Sequence, residues 1–174
     1  MKKQHTPTKG EIEDELRTWI SDAQRVVIAG IGNPLRKDDF VGVRIVRNLQ
    51  KKVPKSVYLI ECETVPESFI GAITEFKPTH ILIIDAASLS LEPASVKLIE
   101  PAQLMGRAAI STHALPLQIF CEYLTRTTGA RIALLTIQPK DTGFGEGLTA
   151  EVEKTAEHLT NLLSKIFSRK LAVN

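Results

Sequence analysis

RVVIAGIGNPLRKDDFVG, residues 25–42, carries the change from strand to helix around which the rest of the chain is arranged. Its first six residues, RVVIAG, are a β-branched run closed by glycine, with the unbroken hydrophobicity of a parallel strand covered on both faces. IGNPLRK then interrupts the apolar run, and over residues 39–52 Val41, Ile45, Val46 and Leu49 fall on one helical stripe. A two-sided strand followed at once by an amphipathic helix opens a βαβ unit, so the neighbouring segments are read for its continuation.

Upstream, Thr8 to Glu11 has capping-box spacing, and Ile12, Leu16, Trp19 and Ile20 recur with helical period, which predicts a helix over about 10–22 packed on the outside of the sheet. Downstream, SVYLIE (56–61) is a second strand, Pro66 starts a helix that ends near Phe76, and HILIID (80–85) is a third, more buried strand. The connection from Ala86 to Ala94 is too short for a parallel crossover, so SVKLIE (95–100) is expected to run antiparallel at or near an edge. Leu117, Phe120 and Leu124 mark a helix over 114–127, RIALLTI (131–137) is the last strand, and Val152, Ala156, Leu159, Leu163 and Ile166 stripe a C-terminal helix. The order βαβαββαβα predicts an α/β fold: a three-layer, doubly wound, mostly parallel sheet of about five strands with one antiparallel member and helices on both faces. One domain is expected over 1–174, its core at about 25–167, with only the first eight and last six or so residues dispensable.

The balance of 22 Lys+Arg against 20 Asp+Glu gives a formal charge of +2, and no stretch concentrates cations among aromatics, which argues against a nucleic-acid partner. The longest apolar run, Ile81 to Ile84, falls far short of the roughly 20 residues that span a bilayer, and the start MKKQHTPTKG lacks a signal core, so no membrane association and a cytoplasmic location are expected. Cys62 and Cys121 lie far apart with no CxxC partner and are expected to fill the core.

Three segments carry candidate chemistry. Gly30 and Gly32 follow a strand, and Glu61 closes the next one where a ribose-binding acid would sit, but the third position of a dinucleotide fingerprint is Leu35 behind Pro34. Asp38 and Asp39 moreover occupy the helix entrance that should receive a pyrophosphate, so dinucleotide binding is set aside. Acids at that entrance cap helices well, and capping is the role expected of Asp38. Asp85, at the carboxyl end of an apolar strand, could cap the following turn or line the crevice where ligands bind in doubly wound sheets, between strands 1 and 3, together with Asp39. His113, in STHALPL, is reached by about ten residues that climb back from the amino edge at roughly 3.3 Å each, which would deliver it to the rim that holds Asp39 and Asp85. His5, His80 and His158 lack that placement. Two carboxylates and one imidazole favour a divalent ion with open coordination positions, of a Zn-, Ni- or Mn-like kind.

GIGNPLRKDDFVG, the strand end LIIDA and THALPL together resemble the three signature segments of the nickel–iron hydrogenase maturation endopeptidases. ECETVPESF and LLTIQPKDTGFGEGLTAEVEKTAEHL resemble the subfamily that processes the large subunit of hydrogenase 3, of the formate-hydrogenlyase type, and the similarity covers about residues 25–165. The resemblance implies a protease that removes a C-terminal peptide from the hydrogenase large-subunit precursor after nickel loading. It assigns Asp39 and Asp85 to the two acidic metal-binding positions and His113 to the imidazole. It further implies that nickel arrives with the substrate rather than residing in the enzyme, with no organic cofactor. Phe40 stands where many relatives carry glycine, and Ser88-Leu-Ser-Leu replaces a glycine-bearing turn; both changes bear on loop shape and substrate choice. A nickel sensor or chaperone that cuts nothing, and a metal-dependent hydrolase of small substrates, are the alternatives.

Overall fold

The structure, a computed structural model, describes residues 7–104 and 114–171. His5, His113 and the outermost residues expected to be dispensable at both ends (1–6 and 172–174) lie outside the described residues. Five strands form one sheet in the order β2-β1-β3-β5-β4, from β1 (Val26–Ile31), β2 (Val57–Glu63), β3 (His80–Ala86), β4 (Val96–Ile99) and β5 (Arg131–Ile137). Four are parallel. The fourth, β4, pairs only with β5, antiparallel and at the edge, as the short connection before it requires.

The sequence's two-sided hydrophobicity is what lets helices cover both faces. In β1, Val26 and Ile28 enter one apolar cluster while Val27, Ala29 and Ile31 enter the other; in β3, Leu82 and Ile84 oppose Ile81 and Ile83 in the same way. The first face is closed by α1 (Lys9–Trp19), α2 (Val41–Leu49) and α5 (Ala150–Leu171), the second by α3 (Ile70–Phe76) and α4 (Ala114–Thr128). The doubly wound α/β architecture expected from the element order is therefore present.

Boundaries differ where capping chemistry intervenes. In α1, Glu11 N–H donates to Thr8 Oγ1 at 3.3 Å and Thr8 N–H donates to Glu11 Oε2 at 2.6 Å, the reciprocal box read from spacing. The helix ends at Trp19 rather than Asp22, with Ile20 as C-cap. The segments after β1 and β2 do not enter their helices directly: Lys37–Phe40 and Pro66–Phe69 are single 3-10 turns that lead into α2 and α3. At the first, this tighter winding places two consecutive acids, Asp38 and Asp39, in a turn rather than in an α-helix.

Candidate functional site

Strand order reverses beside β1: the chain leaves β1 for β2 on one side and returns to β3 on the other, so the crevice between the carboxyl ends of β1 and β3 is the switch point. Register pairs Gly30 with Ile84, which puts Ile31 and Asp85 at one level at the rim. The start of α2 is pressed into this rim. A Cβ on Gly42 would lie 2.1 Å from Ile84 O and 2.4 Å from Ile31 O, so only glycine lets the helix seat across both strands. Gly32, at φ +149°, lets the loop fold back so closely that its Cβ would lie 2.0 Å from Asp39 O. The glycines that imitate a dinucleotide fingerprint thus serve close approach of protein to protein.

Asp39 comes to the rim on the 3-10 turn, 9% exposed, with Asn33 N–H donating to its Oδ2 at 2.9 Å. Asp85 comes on the buried end of β3, 3% exposed, beside Thr136 of β5 in register. Strand parity puts Asp85 on the same sheet face as Ile81 and Ile83, the face that α4 covers. The turn after it does not depend on a carboxylate for its main-chain donors at Ala87, Leu89 and Leu91: Ala87 N–H donates to Ile137 O, and Leu89 and Leu91 N–H donate to Gln138 Oε1 at 2.7 and 3.4 Å. Among the described residues no three His, Cys, Asp or Glu side chains gather closely enough to hold an ion. Asp39 and Asp85 are therefore brought to one crevice, while the position of the third candidate, His113, lies outside the described residues.

Asp38 corrects its expected role. Neither the 3-10 turn nor α2 has a side-chain cap; the Asp38 carboxylate is instead fully buried under the loop after β5. Lys140 and Asp141 N–H donate to its Oδ2 at 2.9 and 3.0 Å, Thr149 N–H donates to Oδ1 at 2.7 Å, and the Thr149 hydroxyl donates to Oδ2 at 2.9 Å. The partners sit 102 to 111 residues downstream, beyond the reach of any periodicity in the sequence. Further bonds close the two loops together: Lys37 N–H donates to Gly145 O and Gly145 N–H to Leu35 O, both at 2.9 Å, and Arg36 Nε donates to Thr142 O at 3.1 Å. Lys37 also pairs with Asp141, holding that carboxyl below the ordinary carboxylate range.

The remaining candidates resolve into packing. Glu61, near the end of β2 where a dinucleotide fold would bind ribose, is ion-paired to Arg47 at 2.8 Å, and that guanidinium lies 5.3 Å from the centroid of the Phe40 ring. Phe40 itself has φ −75°, so glycine is not needed at this position. Burial pushes the thiols of Cys62 and Cys121 up to about 12, which leaves both protonated and poor as nucleophiles, in keeping with core fillers. His80, at the amino end of β3, is packed edge-on against Trp19 at 5.0 Å, the far edge of the sheet from Asp85.

Comparison with known proteins gives a consistent answer. The profile of the family described as HycI, hydrogenase maturation protease, matches residues 43–166. A Methanocaldococcus jannaschii protein provisionally named a hydrogenase maturation protease is 38% identical over 170 residues, covering 92% of this chain and 99% of its own. The hydrogenase 3 maturation protease of Escherichia coli is 28% identical over 131 residues, 75% of this chain and 83% of its own. The crystal structure of the NiFe hydrogenase maturation protease HycI from Thermococcus kodakarensis superposes with a TM-score of 0.83 at 35% identity, covering 88% of this chain and 99% of that one.

Proposed function

This chain belongs to the hydrogenase maturation protease family, and from that premise we propose that it removes the C-terminal extension of a nickel–iron hydrogenase large-subunit precursor after nickel insertion. Asp39, Asp85 and His113 read the substrate's nickel. The single observation that carries this is the convergence of Asp39 and Asp85, from separate elements, on the switch-point crevice between β1 and β3. Two carboxylates on one rim offer oxygen ligands to a divalent cation, which favours their ionised forms.

The direction of α4 supports His113 as the third group. The helix ends at Thr128, next to the amino-edge start of β5, and its 15 residues cover about 22 Å, one strand length. Ala114, the residue after His113, is therefore level with the carboxyl edge, and α4 covers the sheet face to which Asp85 belongs. With two oxygen ligands and one nitrogen, the rim would offer nickel an incomplete shell whose other ligands belong to the precursor. Hydrolysis then needs a water oxygen to add to the scissile carbonyl carbon, the C–N bond to break, and a proton to pass to the departing amine. An ion at the rim would polarise that carbonyl toward attack by water, and the protonated thiols of Cys62 and Cys121 are poor candidates to attack in water's place. No helix among the described residues is long and apolar enough to cross a membrane.

The test uses the whole chain and matched nickel-loaded and nickel-free precursor, followed by mass spectrometry. Loss of a C-terminal peptide from the loaded form alone is expected. Loss from neither would support a sensor or chaperone, and equal loss from both would remove nickel from recognition.

A further inference from the structure

Beside the crevice the surface carries an aromatic ring that packing does not explain. Phe144 is 86% exposed, the most exposed of the large apolar side chains among the described residues, and Leu35, on the adjoining backbone segment, is 46% exposed. A phenylalanine flanked by Gly143 and Gly145 would ordinarily be free to fold down onto the protein and escape water. Here the loop that carries it is pinned. Gly145 exchanges main-chain hydrogen bonds with Leu35 and Lys37, Asp141 and Thr149 are held by the buried Asp38, and Gly143 N–H donates to Asp141 Oδ1 at 2.8 Å. The ring is thus presented outward by an ordered scaffold. That scaffold runs without a break from Phe144 through the Gly145 bridge to Lys37, two residues before Asp39.

We propose that Phe144, with Leu35, is a specificity-determining anchor for the precursor polypeptide, seating an apolar segment of it beside the Asp39 turn; this rests on the function proposed above. A polypeptide is favoured over a second copy of the chain by area. An aromatic side chain buries about 150–250 Å², so one phenylalanine and one leucine fall far short of the roughly 1,600 Å² of a standard interface. They suit a local hot spot in a contact that is completed elsewhere, here by the nickel held between the rim and its cargo. Continuity with the Asp39 turn gives the same occupant, since a precursor that places its ion at Asp39 must pass its chain over this rim. An anchor of this kind acts on binding and leaves the chemical step alone, because it touches the substrate away from the reacting atoms.

The experiment measures binding of nickel-loaded precursor and the kinetics of its processing for the parent chain, Phe144→Ala, Phe144→Trp, and Ile119→Ala as a control. Ile119 is 61% exposed on α4, so it matches Phe144 in losing an exposed apolar group without touching the loop. For Phe144→Ala, Kd and KM are expected to rise about tenfold or more with kcat within about twofold, Phe144→Trp to recover most of the loss, and Ile119→Ala to match the parent. Parent-like Kd and KM in Phe144→Ala would overturn the proposal, as would a fall confined to kcat. So would a parent chain that light scattering shows to be a dimer and Phe144→Ala to be a monomer, which would assign the ring to a second copy. If the parent chain leaves loaded precursor uncut, the function proposed above falls, while the Kd comparison still decides the anchor.

Discussion

At the amino end of β3, His80 is 1% exposed, its ring against Trp19, its Nδ1 3.1 Å from Thr79 Oγ1, and its Nε2 3.3 Å from an Asp22 carboxylate that is itself paired with Arg131 at 3.0 Å. At the carboxyl end of the same strand, Asp85 and the 3-10 turn that carries Asp39 border the switch point, and among the described residues Asp39 has no ion-pair partner, only the N–H of Asn33. Both ends set an ionisable group in buried surroundings. At the amino edge the charges are balanced within the protein: Asp22 faces Arg131, and burial pushes the His80 pKa down so that the imidazole stays neutral. At the carboxyl edge, among the described residues, the Asp39 carboxylate accepts a main-chain N–H and faces no cation. Burial and a perturbed histidine therefore mark the structural end of this strand, and the end proposed to be functional is set apart by an Asp39 carboxylate with no ion pair among the described residues.

The largest effect that this contrast predicts comes from removing a rim ligand. Asp39→Ala, Asp85→Ala and His113→Ala should each lower processing of nickel-loaded precursor by about 100-fold or more, with cooperative unfolding retained. Steady-state rates beside circular-dichroism melts make the check, and a variant that kept full processing would remove its residue from the site.

Asp38 sharpens the contrast because it adjoins Asp39 yet serves the fold. Asp38→Ala strands the N–H groups of Lys140, Asp141 and Thr149, which at about 1–3 kcal/mol each for buried donors should lower stability by about 3 kcal/mol or more. Urea unfolding reads this directly. A melt like the parent's with processing lost would instead make Asp38 a fourth member of the site.

A smaller effect belongs to the amino edge. The folded-state pKa of His80 lies below its unfolded value of about 6.5, so between the two the unfolded chain binds more protons. Stability from this group is therefore fully present above about pH 6.5 and is lost as pH falls through that value toward the folded pKa. Comparing urea midpoints of the parent and His80→Gln from pH 8 to pH 5 isolates the contribution: the parent should lose more over this range. Parallel curves would show that His80 does not respond to its burial.

Much of the scaffold behind this contrast could be read in the sequence, and the failures have one physical cause. RVVIAG and HILIID are apolar on both parities because both sheet faces are covered, and the nine residues from Ala86 to Ala94 inclusive leave no room for a crossover, so topology follows from local pattern. Asp39 and Asp85 were candidates because each closes or follows a strand at the edge where such sheets bind ligands. Asp38 reads as a helix cap in the sequence because a cap is a local interaction, whereas its four hydrogen bonds come from residues 140–149. The tail QPKDTGFGEGLT served only as a mark of resemblance. A lone phenylalanine between glycines in an otherwise polar loop was the available signal, but only the pinning by Asp38 and Gly145 separates a presented ring from a flexible one.

The most direct test of a rim that reads cargo is a nickel titration of the isolated chain followed by dialysis. An open shell of one imidazole and two carboxylates without thiolate should bind nickel weakly and lose it on dialysis. Its affinity should also be too low to strip the ion from a precursor site that includes cysteine thiolates. Tight stoichiometric binding by the chain alone, retained through dialysis and abolished by His113→Ala, would contradict this and make the metal a resident of the enzyme.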